Sequence, residues 1–137
     1  MAGYSGTPLP KKLGIKEGSR IVLVQAPQGL EKDLGVLPEG ATVLRTARPP
    51  LDVVLIFVKS EKELFAQFTY YAERLAPAGR LWIAWPKKTS GVATDLIFEN
   101  VQRVGLATGL VDNKVCAIDE TWSGLQFVIR KKDRPKR

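Results

Sequence analysis

The chain contains no histidine and only one cysteine, Cys116. The lack of histidine excludes a Ser-His-Asp triad, a Cys-His catalytic pair and a histidine-ligated metal. One cysteine cannot form a disulfide within the chain, which favours a reducing, cytoplasmic location. Cys116 lies in the apolar stretch 115–118, so we expect a buried small side chain there and not a nucleophile. The residue types alone therefore identify no reaction.

Long apolar runs are also absent. The longest aliphatic and aromatic run, residues 53–58, is far shorter than the roughly 20 residues that cross a bilayer. The first thirteen residues lack the apolar segment of a secretion signal, so we expect no membrane association. A chain of 137 residues, 45% hydrophobic and 26% charged, has the composition of one globular domain. We divide it into an N-terminal arm (1–8), an α/β domain (9–130) and a basic tail (131–137).

Positive charge is concentrated at the C-terminus. The net charge is +7, and residues 130–137 account for +5 of it, with six basic residues and one acid. The other 129 residues carry the remaining +2. A basic tail can contact nucleic acid, an anionic membrane or an acidic partner. Because no aromatic residues are interleaved with these charges, we expect a solubilising terminus and no nucleic-acid binding.

Strands and helices alternate along the chain. Residues 53–58 form a continuous apolar run, which is typical of a strand buried on both faces in a parallel sheet. Other apolar, β-branched runs predict strands at 20–24, 41–44, 81–85, 114–118 and 125–129, the last two joined as a hairpin by the loop 119–124. The segment 112–113 precedes its strand as a turn.

Capping signals predict the helices. Ser60 with Glu63 forms a capping box, and the helix that follows has an apolar stripe and ends at the Pro-Ala-Gly segment 77–79; the stripe consists of Leu64, Phe68, Tyr71 and Leu75. Thr94 or Asp95 caps a second helix that ends near residue 108. Short helices are expected between Thr7-Pro8 and Gly14, and over residues 30–34.

This order of elements predicts an α/β protein. We expect a single Rossmann-like domain of three layers, with a mostly parallel sheet of five or six strands and a C-terminal antiparallel hairpin. Few helices are available to cover both faces of such a sheet, so we also expect a homodimer.

Several segments resemble known families. Leu-Ala-Pro-Ala-Gly-Arg-Leu-Trp-Ile at residues 75–83 resembles the second half of class I S-adenosylmethionine-dependent methyltransferases, which also end with a helix and a β-hairpin. Nearly the whole chain, about residues 3–133, resembles an uncharacterised bacterial family, domain of unknown function 3052. The segments 3–9, 85–95 and 111–124 carry that resemblance, which implies a Rossmann-like fold and brings no activity or cofactor with it.

The chain differs from methyltransferases at the cofactor loop. Those enzymes have a glycine-rich loop after the first strand and an acid after the second. Here the first loop, residues 25–29, contains the single glycine Gly29, and Arg45 and Arg48 follow the second strand. No other glycine-rich nucleotide motif occurs in the chain. The resemblance therefore implies a divergent or degenerate methyltransferase as the alternative function.

Two polar loops are expected at the carboxyl edge of the sheet, where open α/β sheets bind ligands. One loop is basic and precedes a helix whose N-terminus favours anions; it contains Lys87, Lys88, Thr89, Ser90 and Gly91, and Asp95 follows it. The other loop contains Asp119, Glu120 and Trp122. The alternative interpretation of the first loop is a solvated segment whose hydroxyls cap the helix.

The acidic loop also has two interpretations. Asp119 and Glu120 have the chemistry of a general acid and base or of magnesium ligands, but pairing with Lys87 or Lys88 is the interpretation we favour. Trp122 either stacks on a ligand ring or braces the two loops, and we favour bracing. We predict no metal site. The leading hypothesis is binding of an anionic or nucleotide-like ligand, or of a protein partner, at this edge.

Overall fold

The computed structural model describes residues 7–135, so most of the expected arm and the end of the basic tail lie outside the described residues. Within these residues, four helices and six strands follow one another: α1 (Leu9–Leu13), β1 (Arg20–Val24), α2 (Leu30–Leu34), β2 (Thr42–Val43), β3 (Leu51–Phe57), α3 (Glu61–Ala72), β4 (Leu75–Pro86), α4 (Phe98–Ala107), β5 (Val111–Ala117) and β6 (Trp122–Val128). Short 3-10 turns occupy Lys88–Ser90 and Lys131–Asp133.

The strands form one mixed sheet in the order β2-β1-β3-β4-β6-β5. β2, β1, β3 and β4 are parallel to one another, whereas β6 is antiparallel to both of its neighbours, β4 and β5. The expected Rossmann-like α/β class and the C-terminal hairpin are therefore present. The carboxyl ends of β1, β3, β4 and β5 lie at one edge of the sheet, together with the turn between β5 and β6.

Helices cover both faces of the sheet. β3 has buried side chains on both faces: Val54 and Ile56 belong to the cluster beneath α3 and α4, and Val53 and Leu55 belong to the cluster beneath α1 and α2. This accounts for the continuous apolar run of its sequence, because residues 53–57 are buried on whichever face of the sheet they lie. Among the described residues, no helix has the length and apolar character that crossing a membrane requires.

Three long-range hydrogen bonds fasten α1 to the sheet. The buried indole Nε1 of Trp82 donates to the carbonyl of Leu13 at 3.0 Å. Lys114 Nζ donates to the carbonyl of Lys12 at 2.9 Å, and Lys12 Nζ donates to the carbonyl of Ala117 at 3.1 Å. The two lysines thereby satisfy a carbonyl group at the end of the short helix and another at the end of β5. A five-residue helix needs such contacts because it has little stability of its own.

The helix α3 begins where its capping residue predicts and ends earlier than expected. Ser60 Oγ accepts a hydrogen bond from the Glu63 backbone N–H, while Glu63 Oε1 accepts from Lys59 N–H and not from Ser60. Leu64 and Phe68 are buried as predicted. The helix ends at Ala72, and the prediction that it includes Leu75 is wrong.

Leu75 belongs to β4, which is longer than the predicted strand 81–85. Leu75 pairs with Leu51, and the next pair joins Val53 to Arg80, so residues 76–79 bulge out opposite Asp52. The Pro-Ala-Gly segment therefore forms the bulge and does not end a helix. A Cβ at Gly79 would lie 2.7 Å from the Leu51 carbonyl oxygen, which accounts for the glycine there.

The hairpin strands are also longer than predicted. β5 begins at Val111, so Asp112 and Asn113 lie within the strand and not in a preceding turn. The register shifts between Asp112 and Lys114, which leaves Asn113 as a bulge. β6 begins at Trp122, so Trp122, Ser123 and Gly124 are strand residues and the connecting loop is shorter than 119–124. Cys116 is half-buried on β5.

Gly105 lets α4 approach the sheet closely. A Cβ at this position would overlap the ring of Phe127, which is fully buried and packs edge-on against Phe68. Within a helix, alanine is more favourable than glycine by about 1 kcal/mol. Overpacking of a core costs about 1–3 kcal/mol and outweighs that gain.

We therefore expect Gly105→Ala to lower the free energy of unfolding by about 1–2 kcal/mol, measured by urea denaturation. Ala107→Leu, at an exposed position of the same helix, is the control and should change it by less than about 0.5 kcal/mol. A Gly105→Ala variant at least as stable as the parent chain would show that α4 does not pack on Phe127 in this way.

Candidate functional site

The two polar loops predicted at the carboxyl edge do meet. The backbone N–H of Lys87, immediately after β4, donates to the carbonyl of Thr121 at 2.8 Å. Thr121 lies in the turn between β5 and β6, and β6 pairs with β4 up to the pair of Pro86 with Trp122. The antiparallel insertion of β6 thus brings the lysine loop (residues 87–91) and the acidic turn (residues 118–121) side by side.

The hydroxyl of Ser90 holds the backbone of the lysine loop through two hydrogen bonds. Ser90 Oγ donates to the carbonyl of Lys87 at 2.7 Å and accepts from the N–H of Val92 at 3.1 Å. Gly91 follows with a φ of 79°, a left-handed conformation that glycine adopts without strain. The side chains of Lys88 and Thr89 are exposed at the turn. Ser90 and Gly91 therefore hold the loop, and Lys88 and Thr89 face solvent.

The helix after this loop begins later than predicted. α4 starts at Phe98, so neither Thr94 nor Asp95 caps it, and its N-terminus does not directly follow the lysine loop. Asn100 caps it instead: Asn100 Oδ1 accepts from Ile97 N–H at 2.8 Å. Thr94 Oγ1 donates to the carbonyl of Lys59, and Asp95 Oδ1 accepts from Glu61 N–H at 2.9 Å. Asp95 thus binds the first turn of α3.

The acidic turn uses Asp119 to hold its own backbone. Asp119 Oδ1 accepts from the N–H groups of Thr121 and Trp122, at 2.8 and 2.9 Å. Trp122 is 8% exposed and packs edge-on against Phe57, with ring centroids 5.0 Å apart. It joins β6 to β3 as a core residue. Glu120 is exposed.

A cavity of about 440 Å³ opens between the lysine loop and the first turn of α4. Its floor is apolar and its rim is polar; the lining residues are Trp85, Pro86, Lys87, Lys88, Thr89, Leu96, Ile97, Phe98, Glu99 and Ser123. Sequence reasoning identified the three polar residues of the loop and missed the apolar floor. Only the predicted start of the helix could have indicated this floor, and that start was placed two or three residues too early, with Thr94 or Asp95 as the cap.

A second, smaller crevice lies where the strand order reverses, between the carboxyl ends of β1 and β3. It measures about 230 Å³ and is lined by Gln25, Pro27, Phe57, Lys59, Glu63 and Trp122. Gln25 has a φ of 55°, unusual for a residue with a side chain, and its Nε2 donates to the carbonyl of Phe57 at 2.9 Å. This amide bridges the two strand ends across the crevice.

Among the described residues, neither the metal-ligating side chains nor the thiol of Cys116 identifies a reaction at the carboxyl edge. In residues 7–135, no group of three or more acidic, cysteine or histidine side chains is arranged to hold a metal ion. Burial raises the pKa of the Cys116 thiol above its ordinary value, and the positive charges of Lys12 and Lys114 oppose that effect only in part. A thiol in this state is a poor nucleophile at neutral pH.

The fold is similar to that of two solved fibrillarin structures. Fibrillarin from Aeropyrum pernix, in complex with natively bound S-adenosyl-L-methionine, superimposes with a TM-score of 0.57 at 13% identity, over 89% of this chain and 69% of that one. The fibrillarin pre-rRNA processing protein of Methanococcus jannaschii gives 0.54 at 14% identity, over 93% and 70%. No family model matches the chain, and no curated protein sequence does.

At the carboxyl edge of this chain, two features differ from those expected of an S-adenosylmethionine site. The crevice at the reversal of strand order is smaller than the roughly 300–1,000 Å³ typical of ligand pockets, and the amide of Gln25 crosses it. Beyond β2, Arg45 pairs with Glu31 at 2.7 Å, so a base stands where a ribose-binding acid is expected. The likeness to the fibrillarins is therefore one of fold.

The role of Asp119 as a backbone anchor can be tested. Asp119→Ala removes the acceptor for two backbone N–H groups, so we expect a loss of about 1 kcal/mol in the free energy of unfolding. Asp119→Asn keeps an oxygen in the same place and should recover most of that loss. Urea denaturation of both variants, with Glu120→Gln as the exposed control, measures this. Equal losses for alanine and asparagine would contradict the anchoring role.

Proposed function

We propose that this chain is a small-molecule-binding domain whose ligand, anionic and nucleotide-like, occupies the cavity between the lysine loop and α4. The observation that carries the proposal is the place and size of this cavity. It lies at the carboxyl edge of the sheet, and its volume falls within the range of ligand pockets, whereas the neighbouring crevice is too small.

The lining supports an anion that has an apolar part. Lys87 and Lys88 place positive charge on the rim, and Thr89 adds a hydroxyl. Trp85 and Phe98 supply aromatic surface on the apolar side, which suits a flat ring or base. Glu99 also lines the cavity, so the negative charge of the ligand belongs near the lysines and away from α4. A nucleotide has this division into a ring and a phosphate.

The test is isothermal titration of ATP, AMP and pyrophosphate. We expect saturable nucleotide binding that weakens at least tenfold, or about 1.4 kcal/mol, in the double variant Lys87→Ala with Lys88→Ala. The control is Lys131→Ala with Lys132→Ala, which removes the same two charges from the exposed tail. This control should bind as the parent does.

Two results would overturn the proposal. One is the absence of nucleotide binding in the parent chain. The other is an equal loss of affinity in both double variants, because that loss would come from net charge alone and not from the cavity. Thermal unfolding of each variant without ligand separates a binding defect from a folding defect. Lys87→Ala and Lys88→Ala keep the backbone hydrogen bond from the N–H of residue 87 to the carbonyl of Thr121 possible.

The second candidate is a divergent methyltransferase, which the fold shared with fibrillarins favours. It predicts that S-adenosylmethionine at 100 times its dissociation constant adds about 2.7 kcal/mol to the stability of the fold. It also predicts tighter binding in Gln25→Gly, which removes the bridging amide and suits the positive φ. If thermal shift measurements show no change with the cofactor in either chain, this candidate is excluded.

Several earlier expectations stay predictions. They are a cytoplasmic location, a homodimer, the absence of nucleic-acid and membrane partners, and membership of the bacterial family 3052. The protein partner named beside the small ligand in the sequence hypothesis is also untested, and we rank it below the ligand because the cavity is concave.

A further inference from the structure

A polar cavity of about 400 Å³ lies at the opposite, amino edge of the sheet. Three segments build it: the loop from α1 to β1, the start of β3, and the bulged part of β4. The residues that matter are Gly14, Lys16, Glu17, Ser19, Asp52 and Arg80. None of them belongs to the carboxyl edge, so this cavity is separate from the site proposed above.

Arg80 is the half-buried cation of this cavity. Its Nη1 donates a hydrogen bond to Gln126 Oε1 at 3.2 Å. Gln126 is only 1% exposed, and its Nε2 donates to Asn113 Oδ1. Arg80 forms no ion pair with a carboxylate in residues 7–135. A guanidinium has five N–H donors, and charges removed from water are normally paired. Arg80 therefore has both the charge and the free donors to bind an anion.

Gly14 gives space beside the guanidinium of Arg80, and Ser19 supplies a hydroxyl group to the same cavity. Gly14 has a φ of 82°, and a Cβ there would collide with the side chain of Arg80, so bare backbone lies against the guanidinium. Ser19 is buried, and its Oγ accepts from Lys16 N–H at 2.9 Å. The hydroxyl proton of Ser19 has no acceptor among the described residues, so it is available to a ligand.

The charges in the cavity are balanced. Lys16 and Arg80 are positive, and Glu17 and Asp52 are negative. Asp52 Oδ2 accepts from Arg20 N–H at 2.8 Å, and no group of the described chain donates to Oδ1. The two carboxylates repel a phosphate dianion more strongly than a singly charged carboxylate, and the fork of Arg80 can bind that carboxylate through two hydrogen bonds. A cationic group on the same ligand would match Asp52 and Glu17.

We propose that this cavity binds a small carboxylate that also carries an ammonium group, which is the chemistry of a free amino acid. The carboxylate pairs with Arg80 and accepts from Ser19, and the ammonium group faces Asp52. The side chain of the amino acid extends toward Lys16 and Glu17 at the exposed rim.

The experiment is isothermal titration of the full chain with each of the common L-amino acids, alongside acetate and inorganic phosphate. We expect at least one amino acid to bind with one site per chain, more tightly than acetate or phosphate. Arg80→Gln should weaken that binding at least tenfold. Lys16→Gln, on the exposed rim, should weaken it less and leaves the core untouched. The control is Lys62→Gln, an exposed lysine of α3, which should bind as the parent does.

Three outcomes would overturn the proposal. The first is no binding of any amino acid at about 10 mM, since a millimolar dissociation constant would then be detected. The second is binding that both Arg80→Gln and Lys16→Gln leave unchanged, because the site would lie elsewhere. The third is equal affinity for acetate or phosphate, which would remove the requirement for the ammonium group. Circular dichroism shows whether Arg80→Gln is folded. If Arg80→Gln is unfolded, the affinity of Lys16→Gln for the amino acid tests the site instead.

Discussion

The antiparallel position of β6, between β4 and β5, is the constraint on which the carboxyl edge depends. Because β6 runs against β4, its first residue pairs with the last residue of β4, and the turn that precedes it lies beside the lysine loop. The same pairing buries Trp122 against Phe57 of β3. These contacts therefore link three strands, β3, β4 and β6, at the carboxyl edge.

The burial of Trp122 also decides where a ligand can bind. With Trp122 on one side and the amide of Gln25 across the gap, the crevice at the reversal of strand order has a volume of only about 230 Å³. Open α/β sheets use that crevice because helix N-termini and backbone N–H groups converge there. In this chain α2 has only five residues, Leu30–Leu34, and follows Gly29, so it offers little of either. The larger cavity lies one strand further along, at β4.

The sequence allowed the fold class and the buried strands to be predicted, because β3 and the core half of β4 are apolar on both faces. It misplaced the ends of elements where a local signal competed with a tertiary contact. Leu75 continues the helical stripe of α3 but pairs with Leu51 in the sheet. Asp95 has the chemistry of an N-cap, yet it caps α3 from a distance. Neither contact is encoded within a few residues, and the positive φ of Gln25 has no sequence signal at all.

β4 connects the two cavities and also keeps them apart. Arg80 lines the cavity at the amino edge and Pro86 lines the cavity at the carboxyl edge. The five strand residues between them place them roughly 20 Å apart. Effects of sites more than about 7–10 Å apart usually add, unless a two-state element links them. The only segment between these two residues is a strand buried within the sheet, with neighbours paired on both sides. A ligand at one edge should therefore leave the affinity at the other unchanged, and any coupling between them would require a movement of the sheet itself.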